Sequence, residues 1–560
     1  MKTHCGTSIT LACALLLAGC SNQTTIRDTV VSDDVGAYRG PPAAPPPPAP
    51  RVMSRAPGAA AYATSQRAVV APAPWPVVAP STDKFPDKEA GKAILVADQP
   101  VSTFSADVDT ASYAFVRRLL SAGRLPPLEA VRVEEMVNYF PYRYAAPKNS
   151  RTPFAVTTEV MPSPWKAGNQ LVHIAVRGYD LHQAQRPRAN VVLLVDVSGS
   201  MMGQDRLPLL KQGFHLFAER LRDDDRVAIV TYANGTAVAL EPTPGSERRK
   251  ILDAIDALHA GGGTAGGEGL QRAYALAERN FDRAAVNRVV LATDGDFNVG
   301  ITDPRQLEQF VAGKRKSGVY LSILGVGEGN LNDALMQRLA QSGNGNAAYI
   351  DTLMEASKAL GEELGSTMFP IANDVKVQVE FNPERVAAYR LIGYETRMLQ
   401  RQDFKDDKVD AGDMGAGHTV TAIYEITPSA AAGTLVDPLR YGEEKTAKTA
   451  ARGGDELCFV KLRYKLPGEG SSRLVEHPVR AGAARARFEA APDDQRFAVA
   501  VAAFGQRLRG ETPLADTSYE QIAAMANAAR GPDPEGYRAE FVKLVRMADA
   551  LGKVAQAGQP

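Results

Sequence analysis

Hydrophobic residues change their spacing several times along the chain, and each change implies a different kind of element. Over residues 153–180 (FAVTTEV…LVHIAVRGYDL) apolar and polar positions alternate, the period of antiparallel strands with one wetter face. From about 188 to 368 the alternation gives way to continuous apolar runs: VVLLVDV, RVAIVTYA, TAVALEP, NRVVLATDG, VYLSILGVG and NAAYID. Amphipathic helical stretches separate them. One carries Leu209, Leu210, Phe214, Leu216 and Phe217, one is KILDAIDALHA, and one opens near Glu268 after a glycine-rich turn. Further helices are expected around Leu307 and Phe310, near Leu335, and up to about Met368. Strands that are apolar throughout, alternating with helices, predict a doubly wound, mainly parallel α/β sheet covered on both faces.

The flanks read differently. Residues 99–187 predict a small α/β module: a strand around Thr103, then a helix from about Ala111 with Tyr113, Val116, Leu119 and Leu120 on one face. Asp109 or Thr110 is expected to cap that helix, and a second helix carries Val133, Met136, Val137 and Phe140. After Pro370, alternation returns in DVKVQVEF, TVTAIYEI and CFVKLRYKL, so residues 369–492 are expected to form a β-rich, sandwich-like region. Residues 493–560 read as a helical tail.

The first hundred residues change the picture of where this body sits. An apolar stretch from Leu11 to Ala18 is too short to span a bilayer and reads as the core of a signal peptide over 1–20. Leu17-Ala18-Gly19-Cys20 resembles the bacterial lipobox, which makes Cys20 the expected site of lipidation. Ser21 behind it favours the outer membrane in a cell that has two, on its periplasmic side or at the surface. Residues 21–98, with PPAAPPPPAP at 41–50 and APAPWPVVAP at 71–80, are expected to be a Pro/Ala-rich tether reaching on the order of 100–200 Å if extended. Of the four cysteines, Cys5, Cys13 and Cys20 lie in the leader, so Cys458 alone remains, in a strand-like run that suggests burial. Lys plus Arg equals Asp plus Glu, at 64 each. That balance argues against a nucleic-acid partner, which would call for basic excess.

Candidate chemistry concentrates at strand ends. In open parallel sheets, ligands gather outside the carboxyl ends of the strands, near the point where strand order reverses. Asp196-x-Ser198-x-Ser200 leaves the VVLLV strand, Thr264 sits in the loop GGGTAGGEG, and Asp294 follows VVLAT. Two carboxylates and three hydroxyls, with no His or Cys among them, suit Mg²⁺, Mn²⁺ or Ca²⁺ better than zinc or copper. Two carboxylates ~5 Å apart would repel by roughly 3 kcal/mol at an effective dielectric of 20, a cost that a dication removes.

Those five residues, with Met201 and the Thr293-Asp294-Gly295 turn, resemble the metal-ion-dependent adhesion site of the von Willebrand factor A domain, over residues 188–368. DVDTASYAFVRRLL, VRVEEMVNYFPY and ATDGDFNVG further resemble a bacterial group of such proteins with an N-terminal associated segment. The resemblance implies that Ser198, Ser200 and Thr264 touch the metal, with Asp196 and Asp294 acting directly or through water. It also implies a protein partner that offers an Asp or Glu carboxylate to the ion. A scaffold with a structural or vestigial metal site is the alternative reading.

Catalysis finds less support. DVSGS lacks the G-x-S-x-G elbow, and GGGTAGGEG lacks the Gly-Lys-Ser/Thr of a phosphate loop. His173, His215 and His259 fall in periodic contexts that suggest core or surface roles. Glu268 and Asp296 stand near the metal end, where they could help activate a metal-bound water, but a hydrolase is the least favoured reading. Asp223-Asp224-Asp225 reads as a solvated turn.

Overall fold

A computed structural model describes residues 82–557, apart from 87–88, 107–108, 148–151, 182–185, 264–267, 296–300, 302, 364–368 and 432–453. The expected leader, Cys20, the tether as far as 81, Thr264 and Asp296 lie outside the described residues.

In chain order, the first elements are β1 (Ile94–Leu95), β2 (Val101–Ser105), α1 (Ala111–Ser121), α2 (Val133–Asn138), β3 (Phe154–Pro162) and β4 (Gln170–Gly178). The central region follows with β5 (Arg188–Asp196), α3 (Leu207–Glu219), β6 (Arg226–Tyr232), β7 (Thr236–Pro244), α4 (Arg248–Asp256) and α5 (Gly269–Arg279). It continues with β8 (Ala285–Thr293), α6 (Pro304–Lys316), β9 (Val319–Val326), α7 (Asp333–Ser342), β10 (Ala347–Ile350) and α8 (Leu353–Ser357). Next come β11 (Pro370–Phe381), β12 (Val386–Leu391), β13 (Gly412–Gly415), β14 (Thr419–Pro428), β15 (Glu456–Lys465) and β16 (Ser472–Arg480). The tail is α9 (Asp493–Leu508), α10 (Tyr519–Ala528) and α11 (Tyr537–Ala557).

The central sheet runs in the order β10-β9-β8-β5-β6-β7 and is parallel except for the antiparallel edge strand β7. One apolar layer, with Phe214 and Phe217 of α3 and Ile251 of α4, covers one face. A second, with Tyr274 of α5, Met336 of α7 and Phe115 of α1, covers the other. The doubly wound α/β architecture expected from the apolar runs is the one the chain forms. The chain passes from β5 to β6 on one side and later places β8 on the other, so strand order reverses at β5.

Two antiparallel sheets, β1-β12-β14-β4-β3 and β13-β11-β15-β16 with β2 added on β11, enclose a further core that includes Val377, Tyr424 and Val460. Cys458 is buried in it, and burial pushes its thiol far above the usual range. Helices α2, α9, α10 and α11 build the remaining core around Phe140, Phe497 and Phe541.

Four local expectations need correction. Helix α1 is buried on two sides, not one: Phe115 and Leu119 join the central sheet, while Tyr113, Val116 and Leu120 join the helical core. Thr110 stands at its cap position without a capping hydrogen bond, and Asp109 instead accepts from the Ala347 amide at 2.8 Å and from Arg397 at 2.5 Å. Asp225 is buried rather than solvated. It accepts from the amides of Ala189 and Arg222, both at 2.8 Å, and from both Nη atoms of Arg186. The linker also yields to structure before residue 98, because β1 pairs with β12 and Asp83 accepts from the Gly329 and Leu331 amides.

Candidate metal centre

Strand β5 is buried from Ala189 to Asp196 and is flanked on both sides, so its apolar run supplies the middle of the core. Its register with β8 sets Val195 level with Ala292. The next residues along the two strands, Asp196 and then Thr293-Asp294, therefore emerge side by side at the carboxyl edge where strand order reverses. Asp196 and Asp294 are both 0% exposed.

The turn after Asp196 is tightly held. The Ser198 amide donates to Asp196 Oδ1 at 2.8 Å, and the hydroxyls of Ser198 and Ser200 lie 3.0 Å apart. The Gly199 amide donates to Gly262 O at 2.9 Å, and Gly261 donates to Val197 O at 2.8 Å. The glycine-rich loop that leads toward Thr264 is thereby laced to the serine turn. On the other side, Gly295 has φ of 104°, and a Cβ there would fall 2.6 Å from Asn330 O. Only glycine lets the chain turn away directly after Asp294.

Among the described residues, Asp196 Oδ2 and Asp294 Oδ1 are buried oxygens without a hydrogen-bond partner. An orphaned buried carboxylate oxygen is costly, and a cation is a ready remedy. Burial, with Asp294 contributing, raises the Asp196 carboxyl above its ordinary range. Burial and the Asp196 carboxylate push the Tyr232 phenol well above its own. No group of three or more His, Cys, Asp or Glu side chains converges among the described residues, so the donor set here is two carboxylates with hydroxyls. Hard oxygen donors of this kind fit a divalent ion such as Mg²⁺.

One residue at this centre escapes a motif-based reading. Arg206, just before α3, donates from Nη1 to Asp294 Oδ2 at 2.9 Å and to Ser200 O at 2.6 Å, and from Nη2 to Glu328 O at 3.0 Å. Its only signal in the sequence is a positive charge six residues past Ser200. Glu268, by contrast, is exposed at the start of α5. None of the three histidines adjoins the carboxylates. His173 is buried against Tyr144, with its pKa pushed down to about 3 by burial, His215 pairs with Asp256 at 2.9 Å, and His259 meets Ala257 O.

Beside the serine turn lies an apolar groove of about 700 Å³, lined by Met201, Met202, Leu207, Pro208, Leu258, Ala260 and Leu353. Met202 is 63% exposed there.

Comparison with known proteins supports this assignment of the fold. The model of the von Willebrand factor type A domain matches residues 190–363, and a von Willebrand factor model matches 79–173. A third model, described as "Uncharacterized protein YfbK, C-terminal", matches 366–551. The chain is 44% identical to YfbK of Escherichia coli over 484 residues, which is 85% of this chain and 83% of that one. It is 31% identical to protein sll0103 of Synechocystis over 177 residues, covering 32% of this chain and 41% of that one. A solved von Willebrand factor type A protein from Catenulispora acidiphila aligns at TM-score 0.39 and 18% identity, covering 70% of this chain and 89% of that chain. The chain belongs to the YfbK family and carries a von Willebrand factor type A domain, a kind of domain that typically mediates protein–protein contacts.

Proposed function

We propose that the chain is a divalent-metal-dependent protein-binding module of the cell envelope, tethered to the membrane by lipid on Cys20 and acting in adhesion or assembly. The observation that carries the reading is the pair of buried oxygens on Asp196 and Asp294, unpartnered among the described residues, beside the adjacent hydroxyls of Ser198 and Ser200. Asp196, Ser198, Ser200 and Asp294, with Thr264 from the neighbouring loop, would hold Mg²⁺, or Mn²⁺ or Ca²⁺. A bound dication supplies the electrophile to which an Asp or Glu carboxylate of a partner protein can attach. The adjoining groove offers apolar surface for the rest of that partner to cover, and exposed apolar surface of this kind is a common mark of protein contact.

The chain's role in this reading is binding and not catalysis. Ser198 and Ser200 hydrogen-bond to each other and, among the described residues, to no histidine, an arrangement suited to coordination and not to nucleophilic attack. The ion pair between Arg206 and Asp294 gives the scaffold reading its own support, because it already neutralises part of the site.

Titrating Mg²⁺ against EDTA in a thermal-unfolding assay tests the metal. An ion present at one hundred times its Kd stabilises by about 2.7 kcal/mol. For a unit as large as Val78–Pro560 that raises Tm by about 2–3 °C. No shift in the parent, and none in Asp196→Ala, would leave only the scaffold reading. Divalent-dependent capture of a protein from envelope extracts, lost in Asp196→Ala, tests the binding role.

A further inference from the structure

We propose that Arg206 is a resident cation of the centre, one that a divalent ion must compete with for Asp294 and that makes metal binding and acidic-ligand binding depend on each other. The inference rests on the reading of the site as a divalent-ion site, and it concerns what this chain's own residues do to such an ion.

The position of Arg206 is built in. Its guanidinium is held by three acceptors, Asp294 Oδ2, Ser200 O and Glu328 O, at 2.6–3.0 Å. Its stem fills a slot beside Gly327, where φ is 75° and a Cβ would come within 2.3 Å of Arg206 Nε. Glycine at 327 thus leaves the room the arginine occupies. The walls of the slot are themselves pinned from α1 and the segment after it: Arg118 pairs with Asp205 at 2.5 Å and with Glu328 at 3.5 Å, and Arg124 also pairs with Glu328.

Formal charges show what this arginine does. Asp196, Asp294 and Arg206 together leave the centre one charge negative, with Asp196 Oδ2 and Asp294 Oδ1 still buried and unpartnered among the described residues. Adding a dication turns that to one charge positive, and one further carboxylate brings it to zero. Without Arg206 the two carboxylates would neutralise the dication alone, and the site would have no electrostatic demand for an acidic ligand. The same guanidinium therefore weakens the bare ion's hold and strengthens the pull on a ligand carboxylate.

Calorimetric titration of Mg²⁺ alone into the parent, Arg206→Gln and Arg206→Lys chains tests this, with acetate present or absent as the carboxylate probe. The expected result is a Kd at least ten-fold tighter in Arg206→Gln, with Arg206→Lys staying near the parent because the charge is retained. Acetate should tighten Mg²⁺ binding in the parent and leave it unchanged in Arg206→Gln. Should Arg206→Gln not fold, the Nε–H resonance of Arg206 in the unsubstituted chain gives a second reading, and it should move on saturation with Mg²⁺. Parent binding with an equal or weaker Kd in Arg206→Gln, or an unmoved resonance, would overturn the role of Arg206 and leave the metal reading standing. Absence of Mg²⁺ binding in all three chains would overturn the metal reading itself.

Discussion

Replacing Asp196 with Asn separates the cost of the centre from its use. Asp196 is a buried carboxylate whose Oδ1 accepts from the Ser198 amide and whose Oδ2 has no partner among the described residues. Asn keeps the acceptor for Ser198 and removes the charge. An unsatisfied buried polar atom costs about 1–3 kcal/mol and more when charged, so exchanging the charged Oδ2 for a neutral amide returns the difference. Asp196→Asn should therefore stabilise the protein by about 1–3 kcal/mol in EDTA, a rise in Tm of about 1–3 °C for a chain of this size. The pH dependence has a definite sign. Burial raises the folded-state pKa of Asp196 above its unfolded value, so the parent loses stability as pH rises through that interval, and the Asn variant lacks this loss. In Mg²⁺ at one thousand times its Kd the order should reverse, since the parent gains about 4.1 kcal/mol and the variant gains little. Calorimetric melts of both chains with EDTA and with Mg²⁺ give the four numbers needed. A variant less stable than the parent in EDTA would refute the reasoning about the orphaned oxygen, and equal gains in Mg²⁺ would show that the ion sits elsewhere.

Other perturbations probe the frame around the site. Arg117 is buried with Asp351, Glu355 and Glu540 around it and Tyr139 at 2.9 Å, so Arg117→Met removes the guanidinium that these carboxylates share. It should cost about 3–5 kcal/mol in denaturant unfolding, and a loss below about 1 kcal/mol would mean water reaches the cluster. Gly295→Ala forces a Cβ to within 2.6 Å of Asn330 O and Leu331 Cα at a positive φ. A loss of about 1–3 kcal/mol is expected, together with a blunted Mg²⁺ response as Asp294 shifts. His173, held neutral with its pKa near 3 by burial, should make the protein acid-labile. Its contribution is complete above about pH 6.5 and falls as pH drops toward 3, reaching about 2 kcal/mol lost by pH 5; His173→Phe should flatten that part of the stability–pH curve.

The doubly wound sheet was legible because its signal is repeated. Runs such as VVLLV and VVLAT pair in one buried register, and each confirms the period of the next. Asp196 and Asp294 stood out because a carboxylate ending an apolar strand conflicts with burial, and conflict is easy to see. Arg206 carries no such mark: it is one charge among many, and only the folded chain brings Glu328, 122 residues away, to its guanidinium. The second buried side of α1 was hidden for a related reason. Hydrophobic spacing reports that a helix has a partner, and Ala111, Ala114 and Phe115 are too small or too few to announce another. Asp225 looked like one of three solvated acids, and nothing local distinguishes the one that Arg186 and two amides will claim.

Helix α1, gripped on two sides, sets a schedule for the chain's own making. Its Arg117 waits for Asp351, 234 residues later, and for Glu540, 423 residues later. At about 5–20 residues per second, the last of these partners is synthesised roughly 20–80 s after the arginine. Phe115 gains its surface once β10 is made, but Tyr113 and Leu120 wait for the core that α9 and α11 complete. A nascent chain of this protein is thus obliged to travel open for most of its synthesis, sealing its first helix with nearly its last.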